Sequence, residues 1–278
     1  MREAALGLYT YAEFALCTAL FLPIMGASHV LHRDDPTQRI PGRWMRRFGR
    51  TTSALTPLWR FSIEGQPPAD ILEKPYVVVA NHESTADPFL LSSLPWDMRW
   101  VAKQEIFDLP ILGTLMRFGG DIPLRRGSRA SVEAMLHAAR ATLAAGCPVM
   151  IFPEGTRSAD GRLGAFKDGA FQLAIECGVP ILPIAVAGTR ACRPKGSRWF
   201  GDARAIAKVL PPIESAGLGL GDLADLRERT RAVIESALPD LRTRTGCVFG
   251  RASSPRTAQA TPGLVDAPRA RSAEHAGP

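Results

Sequence analysis

The stretch Tyr76-Val77-Val78-Val79-Ala80-Asn81-His82-Glu83-Ser84-Thr85-Ala86-Asp87 decides how this chain is read. Its first five residues are an unbroken apolar run, the pattern of a strand buried on both faces. The chain then turns polar at once. His82 and Asp87 therefore stand at the carboxyl end of a buried strand, where open α/β sheets usually place their sites. A turn between them lets the carboxylate fold back on the imidazole. That pairing holds one ring nitrogen as N–H and leaves the other as a base for a hydroxyl proton. Taken alone, a His and an Asp at this spacing are more often a simple turn or a helix start.

Outward from this strand, further strand candidates are 99–102, 121–124, 148–152, 181–186 and 204–210. Helical patterns lie between them. Over 128–146, Val132, Leu136, Ala139 and Leu143 share a face and Gly146 is a stop signal. Over 222–238, Leu223, Leu226, Val233, Ile234 and Leu238 form the stripe, with Asp222 as N-cap. Strands alternating with helices imply an α/β layered domain over 61–250, without internal repeats. From Arg251 to the end the sequence loses periodicity and reads as a disordered tail, 251–278.

Three more strand ends carry candidate chemistry. In Phe152-Pro153-Glu154-Gly155-Thr156-Arg157-Ser158, Gly155 permits close backbone approach and Thr156 offers a hydroxyl. Arg157 offers a planar fork suited to phosphate, and Glu154 could accept bonds from a polyol or orient Arg157. The alternative is a polar turn closed by a Glu–Arg pair. In Gly120-Asp121-Ile122-Pro123-Leu124-Arg125-Arg126, two adjacent arginines make either an anion site or a solvated basic turn. Val179-Pro180-Ile181-Leu182-Pro183-Ile184-Ala185 has no titrating group and shapes an apolar wall.

The first 60 residues depart from a plain soluble domain. From Leu6 to Leu31 only Glu13 carries a formal charge. The uncharged part approaches the length that spans a hydrocarbon core, and Pro23 could kink it. Arg2 with Glu3, and Glu13 before the apolar core, favour a retained anchor over a cleaved signal. After Pro41, the residues Trp44, Met45, Phe48, Thr52, Leu55 and Leu58-Trp59 fall on one helical face, with Arg43, Arg46, Arg47 and Arg50 opposite. That describes an interfacial helix on an anionic membrane surface, or a helix packed on the domain with its arginines in water. Arginines just after an apolar segment place that side in the cytoplasm, at the inner membrane if the cell is bacterial.

With 46% hydrophobic and 22% charged residues, the chain is neither wholly disordered nor a polytopic membrane protein. Its net charge of +7 suits an anionic surface or an acidic substrate. A nucleic-acid module fits less well, because the main basic cluster has an apolar opposite face. The five cysteines form no C-x-x-C pair, so neither a disulfide framework nor a zinc ribbon is indicated. Nucleotide loops of the Walker or Rossmann type are absent, as is the G-x-S-x-G hydrolase elbow. No catalytic metal is expected.

Together, and in this order, these four stretches resemble the 1-acylglycerol-3-phosphate acyltransferase family. Asn81, His82 and Asp87 meet its N-H-x-x-x-x-D pattern, and 120–126, 152–158 and 179–185 match the later blocks. Lys103 with Glu105, and 166–171, also look like family positions. The resemblance spans roughly 75–193. It implies a mixed αβ layered fold with an N-terminal helical membrane-docking segment, 1–60. It also implies transfer of a fatty acyl group from acyl-CoA or acyl carrier protein to a lysophospholipid hydroxyl, giving phosphatidic acid, without a cofactor. By this analogy His82 is the general base and Asp87 orients it. Glu154, Gly155, Thr156 and Arg157 belong to the acceptor site, with Arg125, Arg126 and Lys103 assisting. Glycerol 3-phosphate, another lysophospholipid or a lyso-ornithine lipid stay open as acceptors. A non-catalytic membrane-peripheral protein would keep the arginine helix without needing His82 and Asp87 together.

Overall fold

In the computed structural model of the chain, residues 2–35, 37–158, 161–193 and 199–246 are described; the tail expected at 251–278 lies outside them. The chain begins with helices α1 (Arg2–Leu31) and α2 (Arg39–Leu55). It continues through β1 (Trp59–Glu64), β2 (Val77–Ala80), α3 (Asp87–Leu91), β3 (Arg99–Lys103), α4 (Gln104–Phe107) and α5 (Leu112–Phe118). Then come β4 (Ile122–Leu124), α6 (Arg129–Ala144), β5 (Val149–Ile151), α7 (Gly169–Cys177), β6 (Ile181–Ala187), β7 (Ala203–Val209) and α8 (Leu223–Thr245).

The strands form one seven-stranded sheet in the order β1-β7-β6-β2-β5-β3-β4. It is mixed: β6, β2, β5, β3 and β4 are parallel, while β7 runs antiparallel to β6 and carries β1 parallel to itself. The opening stretch supplies the central strand. All four β2 side chains are fully buried, because its two faces meet different layers. Val77 and Val79 pack with α6, α7 and α8 through Leu143, Phe171 and Ile234. Val78 and Ala80 pack the other way, on Leu90, Leu91, Trp96 and Met150. A run apolar at every position is what such a strand requires.

Six strands and both long central helices lie where the sequence places them. Helix α6 is capped by Ser128, whose hydroxyl accepts the Ser131 N–H. Asp222 differs: its carboxylate accepts the Gly219 N–H at 2.8 Å in the preceding turn. Helix α8 also runs past 238 and through Pro239 to Thr245, because Leu241 continues its buried stripe.

The seventh strand corrects the sequence reading. Leu58 and Trp59, taken as the end of a helical face, enter β1 instead. Pro57 follows the end of α2, and the Ala203 N–H donates to the Leu58 carbonyl at 2.9 Å. The alternation in Trp59-Arg60-Phe61-Ser62-Ile63-Glu64 is an edge-strand signal that the overlapping helical stripe hid.

Helix α2 is also not an arginine face turned wholly to water. Arg46 is buried and donates to the Leu94 carbonyl. Arg43 pairs with Asp97 at 2.6 Å, and Arg39 donates to the Gly146 carbonyl at 2.6 Å. Only Arg47 and Arg50 of the expected set remain exposed without an acidic partner. Gly42 brings the helix against Arg99 so closely that a Cβ would stand 2.1 Å from the guanidinium. The guanidinium stems thus bolt α2 to the sheet layer.

Candidate active site

Register puts the site together. Val79 pairs with Ile151 and Ala80 with Ile184, so the segments after β2, β5 and β6 leave the sheet side by side. The Asn81 amide locks the first of these: it donates to the Val186 carbonyl and accepts the Val186 N–H, each at 2.8 Å.

His82 and Asp87 do meet, with Nδ1 2.7 Å from Asp87 Oδ2. Asp87 begins α3 and is wholly buried. The same Oδ2 accepts the N–H groups of Glu83 (2.8 Å) and Ser84 (3.0 Å), and Oδ1 accepts the Thr189 hydroxyl. Four donors thus converge on one carboxylate, which is acceptor-only when ionised. With Nδ1 donating to Asp87, the tautomer assigned to His82 leaves the Nε2 lone pair open. The ring stacks on Phe152 at 4.2 Å and keeps 18% of its side chain exposed.

The block after β5 supports the histidine from below. The Ser158 N–H donates to the His82 carbonyl at 2.9 Å. Glu154 Oε1 accepts the His82 N–H at 2.8 Å, and its Oε2 accepts the Gly164 N–H at 2.9 Å. The expectation that Glu154 reaches a polyol does not match these contacts, since both oxygens bind backbone and the residue is buried. Burial pushes its carboxyl above the ordinary range, against the pull of those two N–H groups and His82. Gly155 adopts φ +66°, with Lys167 where a Cβ would go. Thr156 and Arg157 are exposed at the tip of this turn.

The remaining predicted residues stand at the same end of the sheet. Lys103 closes β3 and pairs with Glu105 at 2.8 Å. Arg125 and Arg126 follow β4, whose Leu124 pairs with Lys103, and both are exposed. Among the described residues no three His, Cys, Asp or Glu side chains are set to hold a metal ion.

Sequence reasoning gave no part to Thr189 or Glu83. Thr189 follows β6 and has no signal in the sequence linking it to Asp87. Glu83 lies inside the opening stretch, buried, with Oε2 accepting the Gly188 N–H at 3.1 Å and Oε1 3.8 Å from Arg242 of α8. Burial, then the Asp87 charge, push its carboxyl up to about 8, although Arg242 and Arg190 pull it down.

The mixed αβ sheet carries a histidine–aspartate pair at a central strand end, and comparison with known proteins gives the class, an acyltransferase. The acyltransferase family profile matches residues 60–187. The chain is 32% identical over 234 residues to a 1-acyl-sn-glycerol-3-phosphate acyltransferase of Chlamydomonas reinhardtii, covering 82% of this chain and 67% of that one. It is 37% identical over 178 residues to a chloroplastic enzyme of the same name from Arabidopsis thaliana, covering 64% and 49%. With the human alpha form it shares 34% over 160 residues, covering 57% and 56%. The chain therefore spans about half the length of these plant and human relatives. The crystal structure of the 1-acyl-sn-glycerophosphate acyltransferase PlsC from Thermotoga maritima superposes with a TM-score of 0.71 at 25% identity, covering 87% of this chain and 97% of that one. The chain belongs to the 1-acyl-sn-glycerol-3-phosphate acyltransferase family.

Proposed function

We propose that the chain transfers a fatty acyl group from a thioester, acyl-CoA or acyl carrier protein, to the free hydroxyl of 1-acyl-sn-glycerol 3-phosphate, giving phosphatidic acid. The observation that carries this is His82 held through Nδ1 on a buried, four-donor Asp87 while its other edge stays open. His82 Nε2 takes the hydroxyl proton as the oxygen attacks the thioester carbonyl. The C–O bond forms, the C–S bond breaks, and the proton passes on to the leaving thiolate. The thioester is already activated, so positioning and base catalysis supply most of what is needed. Arg157, with Thr156 beside it, takes the acceptor phosphate, assisted by Arg125, Arg126 and Lys103. Glu154 and Gly155 act by shaping the turn that carries Arg157 and by bracing His82.

The enzyme works at a membrane surface through residues 1–60, with residues 61–250 as the catalytic domain on the cytoplasmic side. Helix α1 is one helix long and apolar enough to cross a membrane. Its burial pattern supports a lipid contact: Thr10, Glu13 and Ser28 are buried beside Cys17, Phe21 and Met25, while Leu8, Leu16, Leu20, Val30 and Leu31 are exposed. A water-facing helix has the reverse arrangement. Helix α2 packs along α1 and is itself bolted to the sheet layer by arginines, which favours α1 lying in one leaflet over spanning.

The test is to incubate the full chain with acyl-CoA or acyl carrier protein thioesters and a panel of lysolipids, and to identify products by mass spectrometry. Phosphatidic acid formed faster than any other product is the expected result. Preference for another lysolipid would overturn the acceptor assignment, and no acyl transfer at all would overturn the mechanism.

A further inference from the structure

The turn between α4 and α5 is built tightly, yet it shows apolar side chains to the outside. Gly113 sits so close that a Cβ there would stand 2.0 Å from the Phe107 carbonyl oxygen. Its N–H donates to the Leu109 carbonyl at 2.9 Å. Arg117 reaches back to donate to the Phe107 carbonyl at 2.7 Å, and the Thr114 hydroxyl donates to the Pro110 carbonyl at 2.6 Å. A backbone tied this way cannot fold its tip inward. Leu109 is nevertheless 50% and Ile111 52% exposed, with Pro110 exposed between them. A contiguous apolar tip held out by its own hydrogen bonds marks a contact surface.

Its place in the fold says what it contacts. Helix α4 directly follows β3, so the turn leaves the sheet at the end that carries His82. Helix α5 then runs beside α1. Leu115 packs with Cys17, Phe21 and Met25, and Phe118 stacks on His29 at 5.0 Å. Going back from Phe118 through Leu115 to Ile111 therefore moves along α1 toward its exposed Leu16 and Leu20. Lys103, Arg125 and Arg126 stand at the same sheet end.

We infer that Leu109, Pro110 and Ile111 form a second lipid-contacting element, inserted in the same phospholipid leaflet as α1. This rests on the membrane reading of α1 given above. A single helix lying in the interface leaves the attached domain free to roll about the helix axis. A second contact removes that freedom and keeps the strand-end site facing the leaflet, with its cations at headgroup level.

The test is sedimentation of the full chain with vesicles of phosphatidylcholine and phosphatidylglycerol. Leu109→Ser with Ile111→Ser should weaken partitioning about tenfold, from the apolar area withdrawn. Leu72→Ser removes a side chain that is 70% exposed, before β2 at the opposite end of the sheet, and should change nothing. Wild-type protein that binds while the double variant binds equally well overturns the inference and leaves α1 docking intact. Equal losses in the double variant and Leu72→Ser also overturn it. Wild-type protein that ignores vesicles overturns the membrane reading itself. Should the double variant fail to fold, deuterium uptake of the wild-type 105–116 segment decides. Slower uptake with vesicles supports the contact, and unchanged uptake rejects it.

Discussion

The sheet and the N-terminal helix differ in what they leave outside. Strand β2 hides only apolar side chains and sends its polar residues out to the strand end. Helix α1 hides Thr10, Glu13 and Ser28 together with Cys17, Phe21 and Met25, and shows leucines outside. Two of these inward polar groups find partners: the Thr10 hydroxyl donates to the Leu6 carbonyl at 2.9 Å and Glu13 accepts the Thr56 hydroxyl at 2.8 Å. The hydrophobic effect acts alike on both; the membrane reading proposed above puts the outer leucines of α1 in lipid. On that proposal chemistry and attachment are separate jobs, joined mechanically by the arginines of α2. They should therefore be separable by substitution.

The largest separation comes from His82→Ala. It should lower acyl-transfer turnover by at least about 10²–10⁴-fold, the usual worth of a positioned base. Melting temperature and vesicle sedimentation should stay close to wild type; retained turnover would refute the base. The mirror experiment is Leu16→Asp with Leu20→Asp on the outer face of α1. Vesicle binding should fall by about a hundredfold or more, since charge is costly in the apolar layer. Turnover of a dispersed short-chain acceptor should survive. Point changes are needed here because excising residues 1–60 would cut into β1 and strip α2 from the sheet.

A smaller effect tests the division of labour inside the site. Arg157→Ala should raise the acceptor KM by about ten- to a hundredfold, the loss of a charge-assisted contact. The donor KM should move much less; equal rises for both would remove Arg157 from the phosphate.

The smallest effect concerns pH. The Glu83 carboxyl moves from 4.5 up to about 8 on burial, and Asp121 from 3.8 up to about 7 for the same reason. The folded state holds these protons more tightly than the unfolded chain. The stability they carry is whole below about pH 4 and is lost as pH rises through about 7 to 8. Glu83→Gln should flatten part of that decline in thermal melts, by a few degrees at roughly 2–4 °C per kcal/mol. An unchanged slope would mean that Glu83 does not titrate there. Because Glu83 lies next to His82, the same variant should leave the acceptor KM in place if its role is to hold the turn.

Legibility followed how local the cause was. The run 76–80 has one physical solution, a strand buried on both sides, and its polar sequel must then fall at the strand end. The contact of His82 with Asp87 needs only a short turn, so spacing allows it, and the ordered family blocks were what singled it out. The strand Trp59–Glu64 was hidden because its first residue, Trp59, also closes the helical stripe that begins at Trp44. Only pairing with β7, far along the chain, decides between them. Glu154 read as a substrate contact because the sequence cannot say which groups its oxygens meet.

By itself the sequence determined the class of fold and the apolar N-terminus, since each rests on neighbouring residues and their period. Tertiary structure alone decided that Thr189 completes the cradle of Asp87, 102 residues away. It also decided that Glu83 is buried beside Asp87, and which side of α1 faces inward. These depend on which strands lie adjacent and which faces are covered. A side chain's neighbours across the fold set its hydrogen bonds and its exposure, and no local pattern encodes them.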